Sequence, residues 1–310
     1  MQILANIKGN YSESRPYNTV VVNITNHCNL NCRHCFVFRE GNPNEAPVSI
    51  KDEMADDVML DTIIQLRDRH GIKSALWMGG EPMLKPRFLR EAVKLFEHNT
   101  ITTNGTAPLI DFGPNLLYVI SLDGPEDLND AIRGEGVYRK VLHNIESIPD
   151  DFSSRFQVQT VVTKTNQDRI EELIEALLPT RVGWMTFSFI VPRKDDYDSP
   201  DVWQDNEERA AAVRTVMQLK EKYPSFVRNR RRHLELMLPA YADRVTSVCP
   251  PTQSILSLYL EADRFTTPFC CYGNDVDCSR CGAWVVFHSA ARMEQAGLID
   301  WEAECGPESS

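Results

Sequence analysis

Apolar and polar positions along the first two thirds of the chain fall into alternating blocks of two kinds. Short runs rich in β-branched and large apolar residues read as buried strands at 19–25 (TVVVNIT), 74–78 (SALWM), 99–103, 117–122 (LYVISL), 156–163 and 184–191 (WMTFSFIV). Between them lie segments with a helical apolar period: 50–69, carrying Met54, Val58, Ile63 and Leu66, then 86–97, a stretch to about 147, and 167–178. Strands alternating with amphipathic helices predict a parallel sheet with right-handed crossovers. Six such units predict an α/β fold, a partial (β/α)6 TIM-like barrel whose chemistry sits at the C-terminal strand ends. The turn pairs Gly79-Gly80, Asn104-Gly105 and Asp123-Gly124 fall there.

Beyond residue 200 the pattern changes. A long charged helix is expected over 205–222 and another over 228–243. Residues 255–260 and 264–269, around Glu261-Ala262-Asp263, predict a β-hairpin. The chain divides on this pattern into an N-terminal segment (1–18), a barrel (19–225), and linker helices with a small hairpin-plus-helix cluster-binding module (226–310). Trp77 and Trp184 are expected in the core, and Glu53 on a helix surface.

Composition narrows the function. The 310 residues, 42% hydrophobic and 25% charged, suffice for a large core. A net charge of −11 argues against nucleic-acid and membrane-surface partners. Neither a signal peptide nor a run long enough for a membrane helix is visible, so a cytoplasmic protein with reduced thiols is expected. Nine cysteines change the picture, because they group: Cys28, Cys32 and Cys35 near the start; Cys249, Cys270, Cys271, Cys278, Cys281 and Cys305 near the end. Two tight groups in a reduced compartment read as two metal sites.

Cys28-x3-Cys32-x2-Cys35 follows the first strand. Three thiolates can hold three irons of a 4Fe–4S cube and leave the fourth open to a small molecule. Zinc is the alternative, with His27 or His34 as the fourth ligand; otherwise His27 supports the cluster loop. Cys28 to Cys35, with an aromatic ring just before the last cysteine, resembles the signature of the radical S-adenosylmethionine superfamily. Gly79-Gly80-Glu81-Pro82 is similar to the family's GGEP motif, and Thr103-Asn104-Gly105, Ser121-Leu122-Asp123-Gly124-Pro125 and Ile132-Arg133-Gly134 are also similar. The resemblance covers about residues 17–191. It implies a cluster on Cys28, Cys32 and Cys35, with S-adenosylmethionine held by His34, Gly79, Gly80, Glu81, Pro82, Asn104, Ser121, Asp123 and Arg133. Glu81 would meet the ammonium, Ser121 and Asp123 the ribose or methionine end, and Arg133 the carboxylate. Plain turn roles for Asn104 and Asp123, and an Arg133–Asp130 pair, are the structural alternatives.

Cys249, Cys270 or Cys271, Cys278 and Cys281 form a second donor set, which by spacing alone also fits a zinc ribbon. After such a barrel it resembles the auxiliary-cluster extensions called twitch or SPASM, with one cluster rather than two. One of Cys270 and Cys271 is then a spare. Ser188, Phe189 and Arg193, ending the sixth strand, are the substrate-facing candidates. Arg228-x-Arg230-Arg231-Arg232 is either a solvated helix face or an anion site for the substrate.

The implied activity is reductive cleavage of S-adenosylmethionine to a 5′-deoxyadenosyl radical and hydrogen abstraction from a substrate, with oxidation assisted by the auxiliary cluster. The expected cofactors are two 4Fe–4S clusters and S-adenosylmethionine, and the expected partner an electron donor such as flavodoxin or ferredoxin. A small-molecule substrate (a sugar, nucleoside or similar intermediate) is expected because only about 18 residues precede the first strand. Maturation of a ribosomal peptide and a non-catalytic zinc-binding protein are the alternatives.

Overall fold

The computed structural model describes residues 7–39 and 49–302; Cys305 lies outside them. In chain order the elements are β1 (Lys8–Gly9), β2 (Thr19–Asn23), α1 (Asp56–His70), β3 (Ser74–Met78), α2 (Pro86–Ala92), β4 (His98–Thr103), β5 (Leu116–Ser121), α3 (Glu126–Arg133), α4 (Val137–Glu146), β6 (Arg155–Val162), α5 (Ile170–Leu177) and β7 (Met185–Phe189). Then come α6 (Asn206–Lys222), α7 (Arg231–Glu235), α8 (Pro239–Val248), α9 (Pro251–Ser254), β8 (Ile255–Glu261), β9 (Arg264–Thr267) and α10 (Trp284–Gln295). Strands β2 to β7 pair in parallel in sequence order, the expected six-stranded partial barrel.

The hairpin β8–β9 forms as expected, but it does not stand apart. β8 pairs in parallel with β2, and β1 adds in parallel to β9, so the order is β1-β9-β8-β2-β3-β4-β5-β6-β7. The run ILSLYL is apolar on both faces and needs covering on both sides, which the barrel edge supplies. The loop after β9 then spans the gap to the far edge. Phe189 N–H at the end of β7 donates to Gly282 O at 2.8 Å, and Arg193 bridges to Val276.

Helix boundaries depart from the pattern where Pro and Gly intervene. The stretch expected to run to 147 breaks at Gly134-Glu135-Gly136. The helix expected over 228–243 splits into α7 and α8, with Pro239 opening the second, where its missing N–H is harmless. Alternation along the strands sorts two faces. The outer one, with Val20, Val22, Trp77, Ile101, Tyr118 and Phe187, is buried beneath the helices. The inner one carries Val21 and Met78 against Val37 and Cys35, then a polar patch on β6 and β7. There Gln157 and Gln159 both donate to Thr186 Oγ1.

Candidate active site

The first cysteine loop leaves β2 and is fastened at its root. Asn23 donates to Asn26 Oδ1, and Asn26 Nδ2 to Leu260 O at 2.8 Å. The Glu53 carboxylate accepts from Asn26 N–H and, at 2.8 Å, from Thr25 Oγ1. Glu53 is therefore a buried anchor of this loop and not the surface position expected. The Gly79–Pro82 turn lies directly against the loop. Gly80 N–H donates to Thr25 O at 2.7 Å and Glu81 N–H to His27 O at 2.9 Å. A methyl group on Gly80 would lie 2.2 Å from His27 O and 3.0 Å from Cys28 Cβ, so only glycine permits the approach.

Glu81 is 1% exposed and joins three segments. Its carboxylate accepts from Met83 N–H at 2.9 Å, Thr103 Oγ1 at 2.7 Å and Asn104 N–H at 2.8 Å. A carboxylate has about four acceptor sites, so one remains for a further donor. Burial raises its pKa against these hydrogen bonds. Pro82 opens the short 3-10 turn that follows. Asn104 Nδ2 reaches Asn29 Oδ1 at 2.9 Å, and Asn29 Nδ2 reaches Thr106 Oγ1 at 2.8 Å, tying the end of β4 to the residue beside Cys28. Asn29 and Thr106 escaped the sequence reading.

At the ends of β5 and α3 a second group converges on Cys32. Asp123, fully buried, receives Arg133 Nε at 2.7 Å and His34 Nε2 at 2.9 Å on one oxygen, and Val161 N–H at 2.9 Å on the other. Arg133 thus pairs with Asp123 and not with Asp130, whose carboxylate instead receives the N–H groups of Gly136 and Tyr138. Arg133 Nη1 stands 4.0 Å from Cys32 Sγ. Burial opposes ionisation of Asp123, but Arg133 and His34 outweigh it and hold the carboxyl well below its ordinary range. Ser121 ends β5 half-buried, beside Gln159 on β6. Burial pushes the Cys28 thiol up to about 11, and the neighbouring Glu81, Cys32 and Cys35 add to it.

The C-terminal cysteines line one cavity of about 470 Å³: Cys249, Cys270, Cys271, Cys278 and Cys281 all face it. Cys249 ends α8 with a left-handed backbone (φ 42°). Cys270 Sγ accepts from Tyr272 N–H at 3.3 Å. Burial and the neighbouring thiols push Cys249 and Cys281 to about 12. Among the described residues no trio of Cys, His, Asp and Glu side chains converges tightly enough to hold a single metal ion. Both sets nevertheless fit a sulfur-rich cluster in their donor chemistry: half-buried to buried thiols that repel one another as thiolates, with a cation beside each. Arg133 serves the first, and Arg209 lies next to Cys281, its pKa lowered by burial to about 10.

The two sets are linked. The ring of Phe36, the residue after Cys35, lies 4.8 Å from that of Tyr272. Arg39 pairs with Asp275 at 3.0 Å and donates to the carbonyl oxygens of Val191 and Tyr272. Arg193 reaches the same Asp275 at 2.9 Å and so ties β7 to the cysteine loop. Ser188, 4% exposed, accepts from Trp284 N–H at the start of α10. Phe189 is buried against Trp203. Both side chains are buried in these positions. The arginine run lies at the opposite end. Arg228 N–H donates to Met185 O, at the first residue of β7, and Arg228 covers the Trp184 ring at 4.3 Å. Arg230 donates to Gln295, Arg231 pairs with Glu221 and Glu235, and Arg232 with Glu294 and Glu302. These pairings match the solvated-face alternative for the run.

Comparison with known proteins agrees with this geometry. Mycofactocin maturase MftC of Mycolicibacterium smegmatis is 27% identical over 59% of this chain and 46% of its own length. Pre-heme d1 synthase of Dinoroseobacter shibae is 25% identical over 52% of this chain and 40% of its own. The chain thus spans less than half the length of these relatives. Among solved structures, native anSMEcpe with bound AdoMet and Cp18Cys peptide covers 93% of this chain and 82% of its own at 17% identity, with a TM-score of 0.61. A family model described as Radical SAM superfamily matches residues 22–178, half of the chain. The strand-end motifs described above lie within that span, and the chain belongs to the Radical SAM superfamily.

Proposed function

We propose that this enzyme cleaves S-adenosylmethionine reductively and takes a hydrogen atom from a compact, uncharged, hydrogen-bonding small molecule, with a second cluster on the C-terminal cysteines. The observation that carries the reading is the convergence of Cys28, Cys32 and Cys35 with the Glu81 network and the His34–Asp123–Arg133 chain at the strand ends. Cys28, Cys32 and Cys35 would hold a cluster that with S-adenosylmethionine would supply a 5′-deoxyadenosyl radical, and the C-terminal cysteines would hold one that would supply a one-electron acceptor. Glu81 offers its remaining acceptor site to the cofactor's ammonium. Arg133 places a fixed positive charge beside Cys32, and Asp123 holds both Arg133 and His34 in position. Gly79 and Gly80 let the backbone come close.

The inner faces of β6 and β7 present amides and hydroxyls (Gln157, Gln159, Thr186) in place of charges, which supports a neutral polar substrate such as a sugar or nucleoside. The contacts of Phe36 and Arg39 with the 272–275 loop cross the mouth and favour a compact one. A cytoplasmic location and a flavodoxin- or ferredoxin-type reductant complete the proposal. A peptide substrate is the second reading, favoured by the peptide in the structurally similar anSMEcpe.

Anaerobic reconstitution tests the cofactor assignment. About eight irons per chain are expected, and about four after Cys28, Cys32 and Cys35 are all replaced by Ala. Reduced protein should release 5′-deoxyadenosine. A triple variant that keeps about eight irons would overturn the first site, and saturable binding of a peptide without any of a sugar or nucleoside would favour the second reading.

A further inference from the structure

Arg209, the cation beside Cys281, is placed unusually for a charged group. It sits in the second turn of α6 and is 2% exposed. Its Nη1 donates to the carbonyl oxygens of Arg280 at 2.9 Å and Cys281 at 2.8 Å, and its Nη2 to Met237 O at 3.3 Å. Its Nε is buried with no partner. The Phe287 ring lies 5.9 Å from the guanidinium carbon. Three other buried guanidinium groups have a carboxylate: Arg133 has Asp123, Arg280 has Asp277 and Arg39 has Asp275; half-buried Arg244 donates to Trp301 O. Arg209 makes no ion pair among the described residues.

An isolated buried charge is costly, and carbonyl dipoles offset only part of that cost. The groups whose charge acts on it are Cys281, which lines the C-terminal cavity, and then Asp243, an exposed carboxylate on α8. A cube held by thiolates is a net anion, and more so when reduced. A fixed positive charge against it favours the reduced state, since net charge and surrounding dipoles set such potentials.

We propose that Arg209 is the built-in counter-charge of an iron–sulfur centre on the C-terminal cysteines and raises its reduction potential. Arg209 acts through the cysteines and is a positioning residue. The inference rests on the second cluster of the proposed function, and the test separates the two.

The full chain, Arg209→Gln and Arg209→Lys are reconstituted with iron and sulfide. Iron is counted, and each is titrated with dithionite under electron paramagnetic resonance. Signals are assigned with the Cys28/Cys32/Cys35→Ala chain. About eight irons are expected in all three. In Arg209→Gln the C-terminal potential should fall by about 59 mV or more, a tenfold change in a one-electron equilibrium. Arg209→Lys should keep it, and the N-terminal potential should not move. Equal C-terminal potentials in the wild type and Arg209→Gln would overturn the proposal while the second cluster stands. If Arg209→Gln loses the cluster, retention of cluster and potential in Arg209→Lys supports the proposal, and their loss in Arg209→Lys overturns it. A wild-type chain with about four irons overturns the second cluster itself, before any variant is compared.

Discussion

Asp123→Asn isolates the charge chain at the barrel mouth. The carboxylate is fully buried, with Arg133 Nε at 2.7 Å and His34 Nε2 at 2.9 Å on one oxygen. An amide keeps the shape and one acceptor but leaves Arg133, itself 8% exposed, without its counter-charge. Removing one partner of a buried pair costs about 3–5 kcal/mol. With an unfolding entropy of about 2.1 cal/mol/K per residue over 310 residues, that corresponds to about 5–8 °C in Tm. Thermal melts of metal-free, reduced protein measure it. The double variant Asp123→Asn/Arg133→Met removes the stranded charge as well and should melt above the single one. The pH dependence has a fixed sign. The folded carboxyl is held below its ordinary range, so its stabilisation is present above the unfolded pKa of about 3.9 and is lost as the pH falls toward the folded value. The gap between wild type and Asp123→Asn should stay constant from pH 8 to 5 and narrow below about pH 4. A single variant melting within 1 °C of wild type, or a double variant melting below it, would refute the reasoning.

Other outcomes follow from the same geometry. Glu81→Ala strands three buried donors at about 1–3 kcal/mol each, so it should both destabilise the metal-free protein and weaken S-adenosylmethionine binding in calorimetry. Glu53→Ala should destabilise comparably, through Thr25 and Asn26, and equal loss of cofactor affinity in the two would remove Glu81 as a ligand. His233 is fully buried with both ring nitrogens unpartnered, and burial lowers its pKa to about 3. Between about pH 6.5 and 3 the unfolded chain therefore binds a proton that the fold refuses, and His233 should contribute a fall in stability of about 1.4 kcal/mol per pH unit; His233→Phe should remove that share of the slope in urea melts at pH 7 and 4.5 and leave the share of His288, whose pKa burial lowers to about 4. Replacing Arg230 and Arg232 by Gln should leave the Michaelis constant for the true substrate unchanged and cost under about 1 kcal/mol per pair.

Strand order and strand-end motifs were legible because both are local. Period-two and period-3.6 patterns mark the elements, and Gly79-Gly80 or Asn104-Gly105 punctuate them. The splits at Gly134–Gly136 and Pro239 were written in the same language and were passed over. The rest depends on partners far along the chain. Glu53 looks like a helix-surface acid until Asn26 and Thr25 are brought to it. Arg209 sits among Glu207, Glu208 and other polar residues of a helix that reads as solvated, and only the arrival of residues 280–281 buries it. The arginine run stayed open between two readings for the converse reason. A dense local charge says nothing about acids on distant elements, and Glu294, Glu302 and Glu221 neutralise it. The hairpin was visible, but its parallel pairing with β2 was not, because strand patterning carries no partner.

The distribution of buried charge separates the two ends of the barrel. At the C-terminal end several charged groups are desolvated, namely Glu81, the Asp123–Arg133 pair, Arg209, and Arg280 with Asp277, while Arg33 and Arg193 there stay partly in water. At the other end the Arg231 and Arg232 pairs stay at least partly in water. Pairs of the second kind contribute little and cost little. Those of the first kind are often no more stabilising than apolar residues of the same volume would be, so stability alone gives little reason to place them together. Their concentration around two sets of thiols is instead what a site must have if it is to hold anionic clusters and a charged cofactor away from water. Phe36, Arg39, Tyr272 and Asp275 join the two sets, so the loop that closes the sheet is also the one that brings the second set to the mouth.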